Sequence, residues 1–255
     1  MIQLCIENRI ATLTLNRPEK RNALDDTMAA AILGYLETLK ADDNCKVLII
    51  KANGEAFCAG ADLAYLQKLQ MNSCEENLDD SLALMKMFRA LYEFPKVTIA
   101  QVEGAAFAGG CGLAGLCDFC FASPAAKFAY TEVKIGFIPA IVSVFLSPKI
   151  GENAAKRMLL TGDVFSASEA LEMRLITEIA DADQIASVVQ AFAEKICTGV
   201  SAQSLARTKQ LLLSIKGLAL EDQLVIAAEE NARTRGSEDC KKGIAAFLNK
   251  EKLSW

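Results

Sequence analysis

The 255-residue sequence contains no histidine, and this absence limits the chemistry that it can support. Nucleophilic sites in which Ser or Cys is paired with His are excluded. Imidazole is the commonest metal ligand, and no clustered carboxylate and cysteine spacing replaces it, so no metal site is expected. Acid–base catalysis, if the protein performs any, falls to carboxylates.

Positive charge and long apolar runs are also scarce. Lys and Arg number 27 against 32 Asp and Glu, a net charge of -5, which disfavours a broad nucleic-acid surface but allows local basic spots for one small phosphorylated ligand. No stretch approaches about 20 uncharged apolar residues, and the first 13 residues lack the pattern of a secretory signal. Cysteines such as Cys58, Cys117 and Cys120 stand within apolar stretches, which predicts buried, reduced thiols. We therefore expect a cytoplasmic protein with neither a membrane nor a nucleic-acid partner.

The hydrophobic pattern predicts an α/β fold. Strand-like runs alternate with helical periodicity through the first half of the chain, whereas from about residue 151 the periodicity is almost entirely helical. The predicted strands are 3–8, 10–16, 46–52 and 96–102, and the predicted helices of this half are 26–41, 62–72 and 77–93. We place a boundary between an α/β core, residues 1–195, and a helical C-terminal region, residues 196–255.

The stretch GGCGLAG, residues 109–115, has three possible interpretations. From Gly110 it follows the pattern G-x-G-x-x-G, with Glu132 lying 20 residues beyond Gly112, as in a dinucleotide-binding fingerprint. However, six residues separate the preceding strand from these glycines, whereas a nucleotide loop follows its strand directly. The second interpretation is that the glycines allow close helix packing, and the third is that they belong to an oxyanion-binding turn.

A second small-residue turn favours the oxyanion interpretation. AFCAGADL, residues 56–63, places Ala59, Gly60 and Ala61 before another helix. Two such turns, each following a strand, would aim free backbone N–H groups at one point, which is what an oxyanion hole requires.

Five segments in register resemble the enoyl-CoA hydratase/isomerase, or crotonase, superfamily. They are NRPEKRNAL at 16–24, AFCAGADL at 56–63, PKVTIAQVEGAAFAGG at 95–110, CDF at 117–119 and TEVKIGFIP at 131–139. The resemblance extends over about 250 residues. It implies a crotonase-like spiral of ββα units, a helical C-terminal trimerisation part, and a homotrimer or homohexamer.

The same resemblance implies a site that binds an acyl-CoA. The thioester oxygen would accept hydrogen bonds from the N–H groups of Ala61 and Gly109, and no cofactor beyond the CoA moiety of the substrate is implied. Lys20 or Arg21 would either meet CoA phosphates or remain solvated. The turn implied to lie along the CoA consists of Ala59, Gly60, Ala61, Asp62 and Leu63.

The sequence departs from the family pattern at one of the two glutamates of a typical hydratase. The second falls on Glu132, but the first falls on Gly112. The glycine-rich stretch that the family has after Ile-Pro is replaced by AIVSVFL, residues 140–146, which predicts a more apolar acyl pocket. GGCGLAGLCD followed by TEVKIGFIPAIVSVFL resembles bacterial hydratases acting on 3-methylglutaconyl-CoA and related branched, carboxylated enoyl-CoAs.

Three functions remain open at this level. A hydratase would use Glu132 for both the water and the C2 proton, whereas an isomerase would use it to move one proton between C2 and C4. The third alternative is a non-catalytic acyl-CoA-binding homologue. Of the rival acids, Asp62 is interpreted as satisfying amides at a helix start and Asp118 as a structural partner behind the sheet. Glu132, set among apolar residues, is expected to have a raised pKa.

Overall fold

The strands form two sheets in the computed structural model, which describes all 255 residues. The larger sheet has the order β1-β2-β3-β5-β7-β10, with only the β1/β2 pair antiparallel, and the smaller has the order β4-β6-β8-β9, with only β8/β9 antiparallel. The strands are β1 Ile2–Glu7, β2 Ile10–Leu15, β3 Val47–Ala52, β4 Ala56–Cys58, β5 Val97–Val102, β6 Ala105–Phe107, β7 Phe119–Ala122, β8 Lys127–Ala129, β9 Phe165–Ser166 and β10 Glu178–Ile179.

One step of the fold is repeated by three pairs of strands that follow each other in the chain: β3 and β4, β5 and β6, and β7 and β8. In each pair the first strand joins the larger sheet, the second joins the smaller sheet, and a helical segment follows. The repeated step stacks parallel strands in both sheets, so the carboxyl ends of β4, β6 and β8 lie at one edge. The expected spiral of ββα units is confirmed.

Eleven α-helices and two short 3-10 helices, Pro18–Lys20 and Glu132–Ile135, complete the chain. None of the α-helices is long and apolar enough to cross a membrane. Their bounds are α1 Asp26–Ala41, α2 Leu63–Leu69, α3 Cys74–Tyr92, α4 Gly109–Leu116, α5 Ala140–Ile150, α6 Glu152–Thr161, α7 Ala167–Glu172, α8 Ile185–Gly199, α9 Ala202–Ser214, α10 Leu220–Arg235 and α11 Glu238–Asn249.

The larger sheet is covered on both faces, which explains why its parallel strands are almost continuously apolar. On one face, Val47, Ile49 and Ile99 pack against Val189 and its neighbours on α8. The opposite face belongs to a core of 40 buried residues that extends to α1, α3 and α4. This core holds the smaller sheet and its carboxyl edge in place.

Long periodic segments match their predictions, and very short strands do not. The β1/β2 hairpin, α1, β3 and β5 are confirmed. Helix α3 begins at Cys74 rather than at residue 77, because Ser73 and Glu76 form a capping box. Strands β4, β6 and β8 span three residues each, too few to show a period of two. The boundary proposed after residue 195 falls inside α8 and stays a prediction.

Candidate active site

Three of the residues predicted to form a site follow neighbouring strands of the smaller sheet. Ala61 comes three residues after β4, Gly109 two residues after β6, and Glu132 three residues after β8. These three strands are parallel and adjacent, so the chain leaves them at the same edge. Ligands of α/β proteins bind at such carboxyl edges.

The N–H group of Ala61 is free because of the way its neighbours are bonded. Leu24 donates its N–H to the Gly60 carbonyl at 2.6 Å and accepts from the Asp62 N–H at 2.8 Å. In this isolated parallel bridge, Ala61 lies between the two bonded groups and its own N–H points to the other side. Ala61 is exposed, and no protein group accepts its N–H.

The N–H of Gly109 is available for a different reason. Gly109 is the first residue of α4, and the N–H groups of a first helical turn have no acceptor within the helix. The preceding Ala108 has φ 50° and ψ -123°, a conformation that non-glycine residues seldom adopt. Its N–H bonds the Ala129 carbonyl at 2.8 Å, which ties this turn to the end of β8.

The turns that carry Ala61 and Gly109 contact each other directly. Gly60 has φ +94°, and a β-carbon on it would lie 2.8 Å from the Ala108 β-carbon. A β-carbon on Gly110 would lie 2.3 Å from the Cys58 carbonyl oxygen, which no side chain permits. Leu24, which bridges to Ala61, also reaches within 3.0 Å of the position of a Gly109 β-carbon. The two free amides are therefore held on one rigid unit.

The dinucleotide interpretation of G-x-G-x-x-G is wrong, because its glycines lie inside α4 and not in a loop. The Gly112 N–H, for example, bonds the Ala108 carbonyl at 3.0 Å and is not available to a phosphate. Gly110, Gly112 and Gly115 instead allow close approach of Cys58, Val142 and Leu175, as in the packing alternative. Among the glycines of this stretch, only Gly109 begins the helix.

Glu132 presents a buried carboxylate oxygen at this edge of the sheet. The residue begins a 3-10 helix, and its main-chain oxygen accepts from the Phe137 N–H at 3.0 Å. Its Oε2 is buried and has no hydrogen-bond partner. Burial raises the pKa of Glu132 above its ordinary value, an effect that its own N–H only partly offsets. A buried polar atom without a partner is uncommon, and a carboxyl with a perturbed pKa at a sheet edge that also carries free amides is typical of a catalytic site.

No second carboxylate takes the place of the first glutamate of the family. A β-carbon on Gly112 would lie 2.5 Å from the Val142 Cγ1 and 3.2 Å from the Phe88 Cε1. The helix of AIVSVFL, α5, thus packs directly on the main chain of α4. The space beside Gly112 is filled by hydrocarbon.

The rival acids have structural partners, as predicted. Asp62 caps α2 by accepting from the N–H groups of Ala64 at 2.9 Å and Tyr65 at 3.3 Å, and it pairs with Arg17 at 3.1 Å. Burial alone would raise the pKa of Asp62, but these amides and the nearby cations lower it. Asp118 accepts from the Thr98 N–H at 2.8 Å and from the Lys209 ammonium at 2.6 Å.

Sequence reasoning missed the residues that brace the Ala61 turn. Asn22 is fully buried, donates to the carbonyls of Asn53 at 2.9 Å and Ala56 at 2.8 Å, and accepts from the Arg17 N–H at 2.8 Å. Arg17 joins Asp62 to Asp25, the cap of α1. The signal in the sequence is the motif NRPEKRNAL itself, in which Arg17 is the first arginine and Asn22 the second asparagine.

The buried cysteines show no reactive character. Cys117 and Cys120 have the C-x-x-C spacing of redox motifs, yet both are free and buried. Burial raises the pKa of the Cys117 thiol to about 12 and that of Cys120 further still. Thiols that stay protonated are poor nucleophiles. No three Cys, Asp or Glu side chains come together as a metal site would require.

Comparison with known proteins gives the family of the chain. The family model described as enoyl-CoA hydratase/isomerase matches residues 5–255. A Thermus thermophilus protein whose name assigns it as an enoyl-CoA hydratase is 43% identical over 244 residues, covering 96% of each chain. The 2,3-dehydroadipyl-CoA hydratase of Escherichia coli is 30% identical, covering 96% of this chain and 94% of its own. The crystal structure of an enoyl-CoA hydratase from Shewanella pealeana superposes with a TM-score of 0.94 at 36% identity, covering 100% and 95% of the two chains. The chain therefore belongs to the enoyl-CoA hydratase/isomerase family of enzymes that act on acyl-CoA substrates.

Proposed function

We propose that this enzyme hydrates a 2-enoyl-CoA with Glu132 as its single proton-transfer group. The observation that carries the proposal is the buried, unpartnered Oε2 of Glu132 at the same sheet edge as the free N–H groups of Ala61 and Gly109. Two N–H donors and one proton-transfer group are the minimum that enolate chemistry on a thioester needs.

In the proposed reaction, Glu132 first accepts a proton from water as the water oxygen bonds to C3 of the enoyl group. The electron pair of the double bond moves toward the thioester carbonyl, whose oxygen becomes an enolate held by the N–H groups of Ala61 and Gly109. Glu132 then returns the proton to C2, which adds one water molecule and restores the carboxylate. Each well-placed N–H donor is worth about 3–4 kcal/mol by comparison with other oxyanion holes.

We propose a branched, carboxylated substrate such as 3-methylglutaconyl-CoA. The support is the sequence pattern of residues 131–146 and the apolar contact of Val142 with Gly112. One relative of the family is named for an enoyl-CoA with a terminal carboxylate. The turn of Ala59, Gly60, Ala61, Asp62 and Leu63 would lie along the CoA, and no further cofactor is needed for this chemistry.

Double-bond isomerisation is the second candidate, and the filled space beside Gly112 favours it. Hydration in a two-glutamate site shares the handling of water between two acids, whereas isomerisation needs only one carboxylate that moves a proton from C4 to C2. The matching family includes isomerases by its description. Glu132 would be the proton carrier in both reactions.

We also propose that the chain assembles as a homotrimer or homohexamer through its C-terminal helices. These helices expose apolar side chains that a monomer would leave in water. On α10 and α11 they are Leu220, Leu224, Val225, Ile244, Phe247 and Leu248. Sedimentation of the wild type and of a Phe247→Glu variant tests the assignment, because a charge in such an interface would release monomers.

The test of function is turnover of straight, branched and carboxylated 2-enoyl-CoAs in water labelled with oxygen-18. Label at C3 of the product supports hydration. Migration of the double bond without label supports isomerisation. Saturable binding without any turnover contradicts both reactions, and NAD binding in place of CoA binding would contradict the whole assignment.

A further inference from the structure

A cavity of about 360 Å³ lies at the C-terminal end of α4, the end opposite Gly109. Its size falls in the range of small-molecule sites. Residues of α3, α4, α5 and α9 line it, and about half of the lining is apolar. The apolar members that matter below are Leu116, Phe145, Leu212 and Leu213.

Three lysines line this cavity, and the ammonium group of each has hydrogen-bonding capacity to spare. Lys149 donates to the carbonyls of Gly115 at 2.5 Å and Cys117 at 2.9 Å. Lys209 donates to the Lys96 carbonyl at 2.9 Å and to Asp118 at 2.6 Å. Since an ammonium has three N–H donors, each of these two lysines keeps one for a ligand.

Lys216 is the least satisfied of the three. It donates only to the Tyr92 hydroxyl at 2.8 Å, with its ammonium 5.2 Å from the centre of that ring. Two of its donors are therefore free, and it has no anionic partner. The one acid of the lining, Asp118, is already paired with Lys209. The cavity thus combines surplus positive charge and free donors with an apolar wall.

We propose that this cavity binds a small carboxylic acid as its anion, with the carboxylate on Lys216 and Lys149 and a short hydrocarbon body against Phe145 and Leu212. Carboxylate oxygens are acceptors only and complement a site that offers unused donors. The apolar wall favours such a ligand over inorganic phosphate, which has no hydrocarbon part to bury.

The carboxylate could come from a free acid or from the far end of a bound acyl group, and the packing favours the free acid. Gly112 contacts Phe88 and Val142, which lie one turn before Tyr92 and Phe145 on α3 and α5. This packed layer separates the Gly109 turn from the cavity. The proposed site is consequently independent of the reaction, and binding is measurable on the protein without any CoA ester.

The test is calorimetric titration of the purified protein with butyrate and with glutarate. Phosphate serves as the comparison, because it is an anion without a hydrocarbon part. We expect saturable binding of a carboxylate, weakened roughly tenfold or more in Lys216→Met because a charge-assisted hydrogen bond is lost. Lys195→Met is the matched control, since Lys195 is exposed on α8 and lies outside the cavity. Leu212→Glu places a carboxylate of the protein itself in the exposed part of the lining and is expected to abolish binding.

Three results would overturn the proposal. They are the absence of saturable carboxylate binding in the wild type, equal affinity in the wild type and Lys216→Met, and phosphate binding that exceeds carboxylate binding. A KM increase in Lys216→Met confined to enoyl-CoAs with a terminal carboxylate would contradict the free acid and assign the site to the acyl group. If the wild type binds butyrate but converts none of the 2-enoyl-CoAs, the catalytic proposal is wrong and the proposal of a carboxylate site is supported.

Discussion

Val142 lies against the α-carbon of Gly112, so that a β-carbon there would be only 2.5 Å from its Cγ1. A real β-carbon does not approach so closely, and a glutamate at this position would have to displace Val142 or Phe88. We therefore predict that Gly112→Glu lowers the free energy of unfolding by about 1–3 kcal/mol, as overpacking typically does, and does not raise turnover. Denaturant unfolding and steady-state kinetics measure the two effects.

The matched control for this variant is the double substitution Gly112→Glu with Val142→Ala. Removing the two methyl groups of Val142 should recover part of the lost stability, whereas Val142→Ala alone should be destabilising because it opens a cavity. A Gly112→Glu variant as stable as the wild type, with increased turnover, would show that the place of the first glutamate is open.

The sequence predicts the parts of this site that depend on residues close together in the chain. It does not predict the parts that depend on contacts between distant residues. The helix over residues 26–41 and the strand over 97–102 are long enough for their periodicity to show, and both were predicted within a residue or two. The sequence also shows that the side chain of the family's first glutamate is missing at Gly112. That Val142 fills the space could not be predicted, because the contact joins two helices through a separation of 30 residues.

The short elements show the same limit. Glu132 lies on a 3-10 helix of four residues, and Ala61 precedes a helix of seven, so neither has a periodic signal of its own. Their positions follow from the parallel pairing of β4, β6 and β8, which is a tertiary property. Motif register located these residues in the sequence, whereas local propensity would have left them in loops.

Asp62 anchors the Ala61 turn through its cap on α2, and its loss should be felt in stability. We predict that Asp62→Ala lowers the free energy of unfolding by about 1 kcal/mol, the usual cost of removing an N-cap. Asp62→Ser keeps an acceptor for the Ala64 and Tyr65 amides but loses the pairing with Arg17. It should therefore retain most of the stability. Equal losses in the two variants would mean that the ion pair, and not the cap, carries the effect.

The raised pKa of Glu132 predicts a pH-dependent cost to stability. Between the lower pKa of Glu132 in the unfolded chain, about 4.3, and its raised pKa in the folded protein, the folded state binds more protons. Stability therefore falls as pH rises through this interval. Glu132→Gln lacks this titration, so its stability relative to the wild type should increase from pH 4 to pH 8. Urea unfolding at both values measures the difference, and an identical difference at the two pH values would contradict the prediction.

The same substitution, which should raise relative stability at high pH, should lower turnover. Glu132→Gln keeps the size of the side chain but removes the transferable proton, so kcat should fall by roughly 10²–10⁴-fold, the range for a lost acid–base group. Affinity for an acyl-CoA should change little, because the N–H groups of Ala61 and Gly109 remain. Glu103→Gln, at an exposed acid outside the sheet edge, is the control and should leave kcat unchanged. Near-full turnover in Glu132→Gln would contradict the single-carboxylate mechanism.

The Gly109 N–H can be removed without removing a side chain. Gly109→Pro eliminates this donor at the first position of α4, where proline is otherwise tolerated. We predict a loss of turnover of about 10²–10³-fold, as for other lost oxyanion donors. Gly109→Ala is the control, because it keeps the N–H and its β-carbon would meet Leu24 only at 3.0 Å and Phe88 at 3.7 Å. If both variants fold and lose activity equally, the effect is one of space and the second donor lies elsewhere.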